Sequence, residues 1–159
     1  MFALLSVALF IGCKEKKERK PELAIQPEMY VNKQDTDAVR RLTRQYLYCL
    51  EQNDLDGALA MLNRFEHDSI KPLTHEMLTK QRFVLGMFLG MKYDIDHIIF
   101  HKETDSEVKY TVTMFERKDE NDKRPNKASF LIRPVRRGGK WYLTLADSQT
   151  EHRKSEIKH

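Results

Sequence analysis

Four residues combine acid–base side chains at close spacing: Asp94, Asp96, His97 and His101. Carboxylates and imidazoles move protons near neutral pH when their surroundings tune them. On a strand, the period of two places Tyr93, Ile95, His97, Ile99 and His101 on one face. Asp94, Asp96, Ile98 and Phe100 then share the other. At about 3.3 Å per residue the two histidines lie about 13 Å apart, and the two aspartates about 7 Å apart. The histidine separation is too long for a shared proton, or for a metal ion held by those two alone. A tuned carboxylate also needs burial, without which this cluster is a solvated strand. The other histidines, His67, His75, His152 and His159, are scattered with no HxxH or HExxH spacing, whereas zinc takes three or four convergent ligands. Glu66-His67-Asp68 reads as a polar loop. No glycine-rich phosphate loop and no Gly-x-Ser-x-Gly elbow occurs. Cys49 lies in an apolar helical pattern without a local base, which suits a small buried hydrophobe better than a nucleophile. Neither a metal nor a cofactor is expected.

The elements that position these residues are readable from periodicity. Ala38, Val39, Leu42, Tyr46, Leu47, Cys49 and Leu50 recur at helical spacing, with Thr36 or Asp37 as cap. Gln52-Asn53-Asp54 breaks the pattern, and Asp54 caps a short second helix carrying Leu55, Ala58, Leu59 and Leu62. A third helix starts at Thr74 after Pro72 and runs to about Gly90, a natural stop. From Tyr93 the period becomes two. Four strands are expected, through Tyr93–Phe100, Val108–Met114, Phe130–Ile132 and Trp141–Leu145. Glu103–Glu107, Lys118–Lys127 and the tight Arg137-Gly138-Gly139-Lys140 hairpin join them. Helices before strands make an α+β fold with an antiparallel sheet covered on one face.

The amino terminus has a different character. Residues 2–12, FALLSVALFIG, are apolar apart from Ser6, and charge begins abruptly after Cys13. The run is too short to cross a bilayer, which takes roughly twenty helical residues. It matches a signal-peptide h-region. Phe10-Ile11-Gly12-Cys13 resembles a bacterial lipobox, with Phe10 where Leu is usual and Ile11 where Ala or Ser is commoner. The resemblance implies diacylation of the Cys13 thiol, cleavage after Gly12 and acylation of the new amine. No Lys or Arg precedes the apolar run, so the expected start lies upstream of Met1. The bland alternative is an apolar first strand or helix with a chance cysteine. Residues 13–34, with Pro21 and Pro27, read as a charged flexible tether, residues 35–147 as one domain and residues 148–159 as a polar tail. Lys14 follows the cysteine, where an Asp would resemble an inner-membrane retention signal, so an outer-membrane address is expected, with the exposed face open. The net charge of +4 is dispersed. Its dense runs, Lys14–Lys20 and Arg133–Lys140, lack the interleaved aromatic or groove-reading elements of a nucleic-acid binder, and no such partner is expected.

Three helices before a sheet, Asn53-Asp54-Leu55-Asp56-Gly57-Ala58 after the first helix, and the closing Arg137-Gly138-Gly139-Lys140-Trp141-Tyr142-Leu143 resemble the nuclear transport factor 2-like superfamily. More narrowly, they resemble its small secreted or lipoprotein members. The likeness covers about residues 36–147 and is architectural. It implies a strongly curved sheet wrapped into a cone round the long helix, with Trp141 at the base. Catalytic members place an Asp, often with a His or Tyr, inside the cone, which makes Asp94, Asp96, His97 and His101 the candidates here. Tyr46, Phe88, Tyr110, Met114, Phe130 and Trp141 are candidates to line an apolar pocket, although aromatics and methionines at such spacing also simply fill cores. The expected role is a non-enzymatic, membrane-tethered domain that binds a small apolar ligand or a protein. The alternatives are a small hydrolase, isomerase or dehydratase using a His/carboxylate pair, and a module that dimerises through its sheet face. Fold alone chooses none of them.

Overall fold

Helix α1, Lys33–Glu51, is the spine of the domain, because its inward stripe of Val39, Thr43, Tyr46, Leu47 and Leu50 is buried along its length. The computed structural model describes residues 32–119 and 121–146. The expected signal peptide, Cys13, nearly all of the tether and the tail lie outside the described residues. Asn32, in place of the expected Thr36 or Asp37, caps α1: its Oδ1 accepts the Asp35 amide at 2.8 Å, so the helix starts earlier than residue 35. The cap expected at the second helix and the start expected for the third are present. Asp54 Oδ1 accepts the Gly57 amide at the start of α2, Leu55–Ala60. Thr74 Oγ1 accepts the Met77 amide at the start of α3, His75–Gly86. Beyond α3 a turn closes at Gly90, whose φ of 70° suits glycine and whose amide bonds the Leu50 carbonyl at the end of α1.

The sheet has six strands instead of the four expected: β1 Leu62–Glu66, β2 Ser69–Pro72, β3 Lys92–Lys102, β4 Asp105–Thr113, β5 Lys127–Arg137 and β6 Lys140–Leu145. Their order is β2-β1-β6-β5-β4-β3. All neighbours are antiparallel except β1 and β6, which pair in parallel at Leu62/Leu143 and Asn63/Thr144. The extra hairpin β1–β2 contains the segment expected as a polar loop. His67 and Asp68, at φ 48° and 60°, form its two-residue turn, the left-handed geometry that suits a twisted ribbon. It escapes a reading by periodicity because only Leu62 in it is buried and its turn holds no glycine.

Cross-strand partners build the inner face. One row runs Ile95–Tyr110–Phe130, and the next runs Ile98–Val108–Ile132–Leu145. From these rows Tyr110, Ile132 and Leu145 join Tyr46, Leu47 and Leu50 of α1 and Leu85 of α3 in one buried cluster, with Ile95 and Phe130 packed against it.

Candidate functional site

The inner face leaves a cavity of about 130 Å³ between the helices and the sheet. Helix α1 contributes Tyr46, α3 contributes Gln81, Val84 and Leu85, and the sheet contributes Leu62, Tyr110, the Phe130–Ile132 stretch of β5 with Leu131 at the rim, and Leu145, followed by Ala146. An apolar cavity of about 150 Å³ holds a benzene molecule, so this one matches a single small ring. Its aromatic wall is ordered. Tyr110 and Phe130 stack at 5.6 Å, Tyr46 meets Tyr110 edge-on at 6.2 Å, and Phe88 backs Phe130 edge-on at 5.2 Å. The Tyr46 and Tyr110 hydroxyls face each other at 3.5 Å. Burial pushes the Tyr46 phenol well above its ordinary range, and the neighbouring Tyr110 adds to this. Burial likewise pushes Tyr110 up to about 12. Tyr93 is raised too, mainly by burial, and its hydroxyl donates to the Phe88 carbonyl at 2.7 Å. At physiological pH the cavity therefore presents neutral phenols.

The acid–base candidates stand elsewhere. A bulge in β3 between Ile95 and His97 inserts Asp96 as an extra residue, since Ile95 pairs with Tyr110 and His97 with its neighbour Lys109. This reverses the alternation expected for the strand. Tyr93 and Ile95 point inward, and beyond the bulge Ile98 and Phe100 do, leaving His97, Ile99 and His101 outside. Asp96 Oδ2 accepts the Thr111 hydroxyl at 2.7 Å, and Thr111 meets Ser129 at 2.9 Å. His97 Nε2 lies 3.5 Å from Glu107 Oε1, and both side chains are partly exposed. Asp94 and His101 are exposed. None of the four lines the cavity. Among the described residues no three of His, Cys, Asp and Glu converge as metal ligands.

The pocket candidates divide. Tyr46, Tyr110 and Phe130 line the cavity, and Phe88 supports it from behind. Met114 follows the end of β4, where its amide bonds the Asn126 carbonyl at 2.8 Å. Trp141 packs against Phe100 at 5.4 Å, near the start of α1. Its Nε1 donates to Asp35 Oδ1 at 3.0 Å. About 16 Å of helix rise, at about 1.5 Å per residue, separates that point from Tyr46.

No family model matches the sequence, and no curated protein matches it. Solved structures do. A nuclear transport factor 2-like protein of unknown function from Shewanella oneidensis is 17% identical, with a TM-score of 0.47 over 69% of this chain and 94% of that one. A protein of unknown function with a cystatin-like fold from Nostoc punctiforme is 21% identical, with a TM-score of 0.48 over 74% and 91%. A ketosteroid isomerase-like protein from Erwinia carotovora atroseptica is 12% identical, with a TM-score of 0.45 over 70% and 92%. The structural neighbours of this α+β chain are nuclear transport factor 2-like and cystatin-like.

Two groups that periodicity does not mark complete the picture. Gln81 brings an amide to the cavity from a helix whose only buried residue is Leu85. Asp35, 6% exposed in the first turn of α1, holds Trp141 through Oδ1 and has Arg136 Nη1 at 3.5 Å, while Oδ2 is buried with no hydrogen-bond partner among the described residues. A second hollow lies in the loop between β4 and β5, where Arg124 grips the Asp122 carboxylate and lies 5.0 Å over the Phe115 ring.

Proposed function

We propose that this chain is a lipid-anchored protein of the bacterial cell envelope whose cone-shaped domain binds a small, neutral, apolar ligand without transforming it. The cavity carries this reading. Its lining is aliphatic and aromatic, relieved by two phenols and one amide, with no carboxylate, imidazole or cation among the described lining residues. Specific small-molecule sites have this composition: an apolar wall with a few placed polar groups. The enzyme alternative draws no support from His97 or His101, because the sheet separates both from the cavity and the partner of His97 is the outward Glu107.

The anchor rests on the residues before and at Cys13. Two acyl chains suffice for stable anchoring where one is marginal. With Lys14 after the cysteine, the proposed address is the outer membrane. Mass spectrometry of small molecules that copurify with the native protein tests the binding reading. A neutral compound of about one ring, released on denaturation, is the expected finding. A cavity that carries nothing from the cell and takes up no apolar probe in solution counts against it.

One observation favours a second role for the outer sheet face. Ile99 and Leu131 are 40% and 44% exposed there. A dimer formed through this face would cover them. Light scattering on the detergent-free domain decides it, and a strict monomer rejects the dimer.

A further inference from the structure

The two phenols of the cavity have one hydrogen-bond donor more than the structure satisfies. Tyr46 and Tyr110 are 2% and 3% exposed, and among the described residues the hydroxyl of each makes a single hydrogen bond, the one between them. Each phenol has one O–H. Whichever donates to the other, the second O–H is left without an acceptor among the described residues. The shared bond is itself long, at 3.5 Å against a usual 2.7–2.8 Å for O–H···O. Tyr93 offers no relief, because its hydroxyl is committed to the Phe88 carbonyl at 2.7 Å. A buried donor left unmade is costly, the rest of the wall is aliphatic or aromatic, and the one other polar lining group, the Gln81 amide, makes no hydrogen bond to either phenol. An incoming oxygen would mend it.

We infer that the cavity selects a neutral, single-ring ligand bearing one carbonyl or ether-like oxygen, which accepts the free O–H of the Tyr46/Tyr110 pair. This deepens the proposed binding role and rests on it. The ring fills the apolar space between Tyr110, Phe130 and Val84, and its size is set by the volume of about 130 Å³. The ligand is neutral because, among the described residues, no Lys, Arg or His lines the cavity to balance an anion and no carboxylate lines it to hold a cation. The raised phenol pKa values act in the same sense, keeping both hydroxyls as donors.

The test compares two isosteric probes, cyclohexanone and methylenecyclohexane, which differ by an oxygen in place of a methylene. Affinities are measured by ligand-observed NMR on the full chain carrying Cys13→Ser, which keeps acyl groups and detergent out of the measurement. The quantity read is the ratio of the two affinities, so that the differing hydration of the probes cancels between variants. Tyr46→Phe and Tyr110→Phe each leave one phenol, which still donates to the ketone, and each keeps the ratio of the parent within about threefold. The double variant removes both donors, and the ratio falls by about tenfold, the worth of one buried hydrogen bond. Removing both partners of a weak pair leaves the fold as stable as the parent, which a denaturant melt verifies. A ratio unchanged in the double variant, with both probes still binding, overturns the oxygen selection and leaves the apolar site standing. Binding of neither probe to the parent overturns both the selection and the site.

Discussion

At the scale of single residues, burial makes polar groups decisive, and Asp35 shows this most directly. A carboxylate 6% exposed is stable only while its hydrogen bonds and ion pair hold, and here Trp141 supplies the one short bond. Replacing Trp141 by Phe keeps most of the ring packing on Phe100 but leaves Asp35 with only the looser Arg136 contact. The expected cost is about 2 kcal/mol, the penalty for stranding a buried charged acceptor. A denaturant midpoint unchanged in Trp141→Phe contradicts it. The tyrosines set a second expectation, in pH. Tyr110 has a folded-state pKa of about 12 against an ordinary 10, so its neutral form is the one the fold favours. The contribution to stability is complete below pH 10, where the phenol is neutral folded and unfolded. It declines above pH 10 as the unfolded chain ionises first, and is lost as pH passes about 12. A shift of that size corresponds to about 3 kcal/mol, and Tyr46 acts in the same direction. Denaturant melts across this range should show an alkaline loss that Tyr110→Phe reduces; parallel pH curves for parent and variant would refute the assignment.

At the scale of elements, the β3 bulge governs where chemistry is placed. Because Ile95 and His97 face adjacent residues of β4, Asp96 is a true insertion, and the ladder is regular from His97 until a second shift between Phe100 and Lys102 near the hairpin turn. Deleting Asp96 restores strict alternation on both sides and keeps Tyr93, Ile95, Ile98 and Phe100 inward. The deletion variant should fold within about 2 kcal/mol of the parent, losing mainly the local twist that a bulge adds. Deleting Lys109 from the unbulged β4 instead turns either Tyr110 and Val112 or Val108 and Ser106 to the wrong face, because a one-residue slip exchanges faces. That variant should not reach a cooperative fold. Circular dichroism melts of the two deletions provide the comparison, and equal behaviour would show that the bulge is not what sets the faces. The same bulge explains what was legible beforehand. The stripe of α1, the caps Asp54 and Thr74, and the alternation of β4 and β6 follow from local pattern, and so they could be read. An extra residue inside β3 has no local signature, so counting by twos carried His97 and His101 to the wrong face. The β1–β2 hairpin was hidden for a related reason: its short strands bury little and its turn uses His67 and Asp68 in place of glycine. The Tyr46/Tyr110 pair joins residues far apart in the chain, and only the fold brings their hydroxyls together.

At the scale of the whole molecule, the proposed membrane attachment has to rest on the lipid anchor. No described helix is long and apolar enough to cross one. The net charge of +4 is spread over both signs and would give only weak, salt-sensitive attraction to an anionic surface. Stable attachment then falls to the proposed acyl groups on Cys13, where each buried methylene contributes about 0.8 kcal/mol and two chains together hold firmly. The proposed anchor depends on one atom, the Cys13 sulfur. Cys13→Ser removes the thiol that the lipobox resemblance assigns to acylation and changes nothing in the domain, so the variant should fold as the parent does but move from the detergent-rich to the aqueous phase on partition. High salt should not reproduce that shift in the parent, because the bond to the bilayer is apolar. Retention of Cys13→Ser in the detergent phase means that another part of the chain holds the membrane, and release of the parent by salt means that charge does.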